Sequence, residues 1–163
     1  MEQLSSGGDI LQLVTFKMNT EEYAVDILKV QEINRMSEIA KVPNAPEYVE
    51  GVINLRGRVI PVVSLRKRFG FAEKDSDEQS RIIIMDIQSI TIGVIVDSVS
   101  EVLRIPSNTV DPAPSFSTEL GTEFIKGIAK MEDRLIILID MNILIERTES
   151  VSMLEASQKT IEK

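Results

Sequence analysis

The chain contains neither His nor Cys, and this removes most of the chemistry that 163 residues could perform. Without imidazole there is no Ser–His–Asp relay and no His-bound metal; without thiol there is no thiolate nucleophile and no sulfur-ligated ion. Neither GxxxxGKS/T nor GxGxxG occurs, so neither common phosphate cradle is present. Paired carboxylates are what remains for acid–base work: Asp75 with Asp77, and Glu132 with Asp133. The first pair lies in a polar linker and the second at a hairpin tip. Both read as solvated turn residues, not as groups with a displaced pKa in a cleft. The chain therefore reads as non-enzymatic, with no cofactor and no metal. Binding is left.

Three groups of residues could carry binding. Asn54-Leu55-Arg56-Gly57-Arg58 and Lys130-Met131-Glu132-Asp133-Arg134 are matching hairpin tips of opposite charge, Arg56 standing where the other has Glu132. The planar fork of Arg56 suits a partner carboxylate or backbone. Arg66, Lys67 and Arg68 follow closely, so the first hairpin reads as a basic spot on an acidic chain. The second group is apolar. Val30, Ile33, Val99 and Val102 are either barrel core, or one of each pair lines a groove that receives an apolar helix. The third is Phe116, isolated among Pro, Ser and Thr, which either plugs its own barrel or anchors a partner.

These positions sit on an internal repeat. GVINLRGRVIPVVSL (51–65) aligns without gaps on GIAKMEDRLIILIDM (127–141), with Arg58 on Arg134. AVDILKVQEI (24–33) aligns on GVIVDSVSEV (93–102) in the same order. Two copies of one small module are implied. Modules of about 70 residues bury a marginal core alone, so the two should pack together and leave a groove between them.

Short alternating strands, such as Val14, Phe16 and Met18 against Leu13, Thr15 and Lys17, are punctuated by turn signals and argue for an all-β fold. About five strands per module are too few for a stable open sheet, so each should close into a small barrel. The expected organisation is a frayed arm over 1–10, a first barrel over 11–76, a second over 77–148, and a tail over 149–163 that is a weak amphipathic helix or frayed. A helical turn is expected near Ile27 and another at SLRKRFG. Pro61 should mark an edge strand or a bulge.

A net charge of −8 disfavours nucleic acid and anionic membranes. The longest apolar runs are far short of a bilayer span, and no secretory signal is evident, so a soluble, cytoplasmic protein is expected. An alternative of the same architecture, a barrel module binding an oligonucleotide or oligosaccharide in the groove, is disfavoured by 4% aromatics and no Trp.

VPNAPEYVEGVINLRGRVIPVVSLRKRFG resembles the signature of CheW-type chemotaxis coupling proteins, and YAVDILKVQEIN, GVIVDSVSEVLRI and FIKGIAKMEDRLIILIDM follow that family's pattern in order. The likeness runs from about Leu11 to Glu146. It implies two five-stranded SH3-like β-barrels packed together and no catalytic activity. It also implies an adapter that couples the cytoplasmic hairpin tips of chemoreceptors (methyl-accepting chemotaxis proteins) to the regulatory domain of the histidine kinase CheA in membrane-associated receptor arrays, without itself inserting into the membrane. Carried over by position, the receptor-binding residues are Val30, Gly51, Arg56, Val99 and Val102, with Ile27, Ile33 and Asn54 completing that surface. Glu32 and Phe116 are expected to face the kinase.

Overall fold

The computed structural model describes residues 9–112 and 124–142. Eleven strands are found there: β1 (Ile10–Met18), β2 (Glu21–Asp26), β3 (Val30–Arg35), β4 (Val49–Leu55), β5 (Arg58–Ser64), β6 (Arg81–Ile87), β7 (Ile90–Val96), β8 (Ser98–Pro106), β9 (Val110–Pro112), β10 (Ile125–Met131) and β11 (Arg134–Ile139). A short helix, α1 (Leu65–Phe69), follows β5. The Ser64 side chain caps its first turn, and Gly70 ends it at φ 82°. The helical turn expected near Ile27 is a single 3-10 turn over Ile27–Lys29.

The strands form two sheets, ordered β8-β1-β2-β11-β10-β9 and β3-β6-β7-β5-β4. They are the two small barrels expected from the sequence. The sixth strand of the first sheet, β9, has three residues, and its counterpart in the second is a single bridge, Ala40 to Val52. The plan is therefore the same in both. Each barrel has its own interior: Leu13, Ala24, Ile105, Ala129, Ile136 and Leu138 in one, and Ile53, Ile60, Val62, Ile82 and Ile84 in the other. A third and larger core lies between them, built from Val14, Phe16, Met18, Ile83, Met85, Ile87, Ile92 and Val94 among others. Strand β6 shows why its sequence is apolar almost throughout. Ile82 and Ile84 fill their own barrel, while Ile83, Met85 and Ile87 face the other one. A strand buried on both faces loses the alternation of a half-exposed one.

The boundary expected at 76/77 does not separate the sheets. Strands β1 and β2 pair with β8 and β11, while β6 and β7 pair with β3 and β5. The two repeats have exchanged their leading hairpins. The aligned residues confirm the equivalence: Val62 lies opposite Gly93 in the parallel β5–β7 ladder, and Leu138, aligned on Val62, lies opposite Ala24, aligned on Gly93. Self-similarity reveals how often a unit recurs, but not which copy's strands it pairs with. The N-terminal boundary shifts slightly too, since β1 already begins at Ile10.

Pro61 is also placed differently from expectation. Its strand lies between β4 and β7 and is not an edge. The ladder to β7 begins at Val62, one residue later, so that ladder asks nothing of the proline nitrogen. The bulge falls on β4 instead, between Val49 and Gly51. Its counterpart lies between Ile125 and Gly127.

Candidate functional site

Ladder register decides which way the apolar candidates point, because directly opposed residues share a face. Val30 lies opposite Met85 and Ile33 opposite Ile83; Val99 lies opposite Phe16 and Val102 opposite Val14. All four opposing residues belong to the inter-barrel core. Strands β3 and β8 each sit at the edge of a sheet, so their apolar side chains border that core from both barrels. Val30 and Val99 are partly buried against it, whereas Ile33 and Val102 remain 38% and 52% exposed. In each pair one residue is thus partly covered by the core and the other is exposed. Ile27 also packs partly against this core.

A matched bulge in each edge strand produces this. The register shifts between Val30 and Glu32 on β3, and β8 passes from Val99 to Glu101 where its register with β1 shifts. Gln31 and Ser100 are the unpaired residues. Each bulge turns the next carboxylate, Glu32 or Glu101, toward its own barrel's interior face, opposite Ile84 and Thr15.

The hairpin tip joins this surface through Glu32. Arg56 and Gly57 form the two-residue turn at φ 52° and 86°, the positive values that a tight hairpin requires. Asn54 Oδ1 accepts from Gly57 N–H at 2.9 Å, so Asn54 sets the turn. Arg56, its side chain 70% exposed, is ion-paired through Nη2 with Glu32 Oε2. That hydrogen bond holds the Glu32 carboxyl below its ordinary range and raises the already high pKa of Arg56. Residues assigned by resemblance to two different partners are therefore in direct contact.

Other candidates are placed differently. Gly51 is buried, at φ 147°, and a Cβ there would meet the Ala40 carbonyl oxygen at 2.1 Å. The close approach it permits is made by the chain's own loop. Arg66, Lys67 and Arg68 do not extend the Arg56 tip as a basic spot; they lie on α1 and are engaged internally. Arg66 donates to Asp97 from Nε at 3.0 Å and from Nη2 at 3.1 Å. Lys67 reaches Glu50 at 3.0 Å, and Arg68 stacks over Tyr48. Burial pushes the Asp97 carboxyl up, but the Arg66 guanidinium and the Asn19 N–H outweigh it and hold the group below its usual value. Asp77 accepts from Gln79 N–H at 2.8 Å, the turn role expected of it. Phe116 lies outside the described residues, as does the tail over 149–163. Among the described residues no cluster of acidic side chains could hold a metal ion, and no helix is long and apolar enough to cross a membrane.

Two features escape a reading of the sequence. Arg134 binds Glu22 through Nε and Nη2 at 3.2 and 2.8 Å and Glu101 at 2.9 Å, a network spanning residues 112 positions apart. Leu28 stands 86% exposed on the Ile27–Lys29 turn that crosses between the barrels.

A family model described as the CheW-like domain matches residues 12–149. The chemotaxis protein CheW of Klebsiella aerogenes is 35% identical over 138 residues, 85% of this chain and 83% of that protein. The CheW of Thermotoga maritima is 35% identical over 146 residues, 90% and 95% of the two chains. The crystal structure of the scaffolding protein TtCheW from Thermoanaerobacter tengcongensis superposes with a TM-score of 0.80 at 40% identity, covering 87% of this chain and 96% of that one.

Proposed function

Since the chain belongs to the CheW-like domain family, we propose that it is a non-enzymatic scaffold of chemotaxis that couples the cytoplasmic tips of chemoreceptors to the regulatory domain of the histidine kinase CheA. The observation that carries this reading is the exposed apolar residues on the two edge strands. Ile33 and Val102 present exposed apolar side chains from two barrels beside one continuous core, and Glu32, which is ion-paired with Arg56, is next to Ile33 on β3. A receptor tip is a helical hairpin, and its apolar face fits a surface of this kind. Val30, Val99 and Ile27 support it from the core, and Gly51 and Asn54 act indirectly by shaping the hairpin that carries Arg56. Glu32, expected to face the kinase, belongs to this reading as the residue that orients Arg56. Phe116 remains the kinase-facing expectation. The protein works in the cytoplasm and joins membrane arrays through its partners, without touching nucleic acid.

The surface is large enough for such traffic. The total accessible area is 9220 Å², and a standard interface takes about 800 Å² from each partner. Three such patches would use about a quarter of the exterior, and weak contacts would be made firm by multivalency.

The test is binding of the purified chain to a soluble receptor-tip fragment and to the kinase regulatory domain. Ile33→Asp and Val102→Asp, both at exposed positions, should weaken tip binding about tenfold or more, as expected for loss of an apolar anchor, while circular dichroism stays unchanged. Unaltered chain that bound neither partner would sink the reading.

A further inference from the structure

The bulge in β3 decides which side chains of that strand face outward, and a bulged residue has no place in the ladder to fix it. A slip of one residue there would turn Ile33 inward and Glu32 outward, away from Arg56. Gln31 is the bulged residue, and its Nε2 donates to Asp86 Oδ1 at 2.7 Å. The same oxygen accepts from Thr91 Oγ1 at 2.9 Å, and that hydroxyl accepts from Arg58 Nη2 at 3.1 Å. Arginine can only donate, so the hydroxyl proton is directed at Asp86. Strands β5, β7, β6 and β3 thus carry one polar chain that ends on the bulge.

The matching bulge of β8 is held by a different device. There Thr15, fully buried on β1, sits opposite Glu101. Its Oγ1 accepts from Glu101 N–H and donates to Glu101 O, both at 3.2 Å. The residue in the place of Thr15 in the other barrel is Ile84. Thr15 pairs with Ala24 and Glu101, and Ile84 pairs with the equivalent Gly93 and Glu32. Isoleucine offers no hydroxyl, so the β3 bulge is not held from beneath. It is held from the side instead, through the amide of its own bulged residue. Gln31 and Asp86 are both exposed, where a hydrogen bond adds little to stability. Its charged acceptor still makes it directional.

We propose that Gln31 and Asp86 are positioning residues for the tip-binding surface, acting through the bulge and not by touching the receptor. What the bulge serves rests on the coupling reading; what holds it rests on the hydrogen bonds alone.

Reversing the bond tests this. Gln31→Glu sets a second carboxylate against Asp86 and should weaken binding of a soluble receptor-tip fragment about fivefold or more. Hydrogen exchange at the protected amides of residues 32–35 should quicken by a similar factor, while thermal unfolding stays nearly unchanged. Adding Asp86→Asn to Gln31→Glu rebuilds the bond with donor and acceptor exchanged, and the new amide still offers an oxygen to Thr91. Both readouts should then return to within about twofold of the unaltered chain. A double variant that recovers exchange but not binding would mean that the side chain at position 31 touches the receptor itself. Gln31→Glu with unchanged exchange would mean that the bond holds nothing. Either result overturns the proposal. An unaltered chain that binds no tip ends the coupling reading, and the exchange rates of the single and double variants still decide whether the bulge is held in this way.

Discussion

The hairpins β4–β5 and β10–β11 share a bulge, a two-residue turn and an arginine at the start of the return strand, yet their charges are held in different ways. In the second, Arg134 clamps Glu22 and Glu101 against the barrel, and the tip beyond it is Glu132-Asp133. In the first, the aligned Arg58 donates to a hydroxyl, Thr91 Oγ1 at 3.1 Å, and the carboxylate matching Glu101 is reached from the tip by Arg56. Glu101 and Glu32 are thus neutralised alike, one by a residue within the scaffold and one by a residue at its extremity. On the proposed reading, duplication has kept a structural device in the second hairpin and freed one for recognition in the first. An arginine paired at an exposed tip is held in one orientation while most of its surface stays available to a partner.

The comparison can be strained hardest at the two bulge glycines. Gly51 combines positive φ with a Cβ position 2.1 Å from a carbonyl oxygen, whereas Gly127 lacks the positive φ and its Cβ would lie 2.7 Å from Asp111 O. Gly51→Ala should therefore cost about 3 kcal/mol and Gly127→Ala about half of that, read from denaturant unfolding. Equal losses would mean that the backbone conformation contributes nothing. Next come the arginines. Arg134→Ala should cost about 1 kcal/mol, the solvent-screened worth of a partly exposed network. Arg56→Ala should leave thermal unfolding unchanged and act only on binding. A smaller effect separates the crossovers. Asp97 titrates lower in the folded chain than in the unfolded one, so the folded state binds fewer protons. The stabilisation this gives is full above the ordinary Asp range near pH 4 and fades as pH falls through the folded value. Asp97→Asn should flatten that acid limb of the stability profile, and a limb of unchanged slope would show that the pair with Arg66 is inert.

Strand positions were legible because hairpin punctuation is local. Asn54, Arg56 and Gly57 define a turn within a few residues, and Ser64 with Gly70 bounds a helix in the same way. The apolar edge-strand surface was legible in part, because Val30 and Val99 fall at matching places in two repeats. Which valines are covered depends on bulges at Gln31 and Ser100, and nothing in VQEI or VSEV announces a bulge. The exchange of hairpins was beyond reach for a physical reason. The ladders β1–β8 and β3–β6 join residues far apart in sequence, and either pairing of two similar modules would bury the same apolar strands. The long-range Arg134 network and the engagement of Arg66 by Asp97 follow from that exchange and were hidden with it.

Because each barrel borrows its first two strands from the other repeat, neither half of the chain encodes a finished object. A polypeptide consisting of one repeat would hold a hairpin with no sheet to join and a sheet missing its centre, and two such molecules would each supply what the other lacks. Fusing them end to end turns a concentration-dependent encounter into an intramolecular certainty. A protease nick between Ala72 and Gln79, in the chain between α1 and β6, should accordingly yield two fragments that stay clasped until both barrels melt.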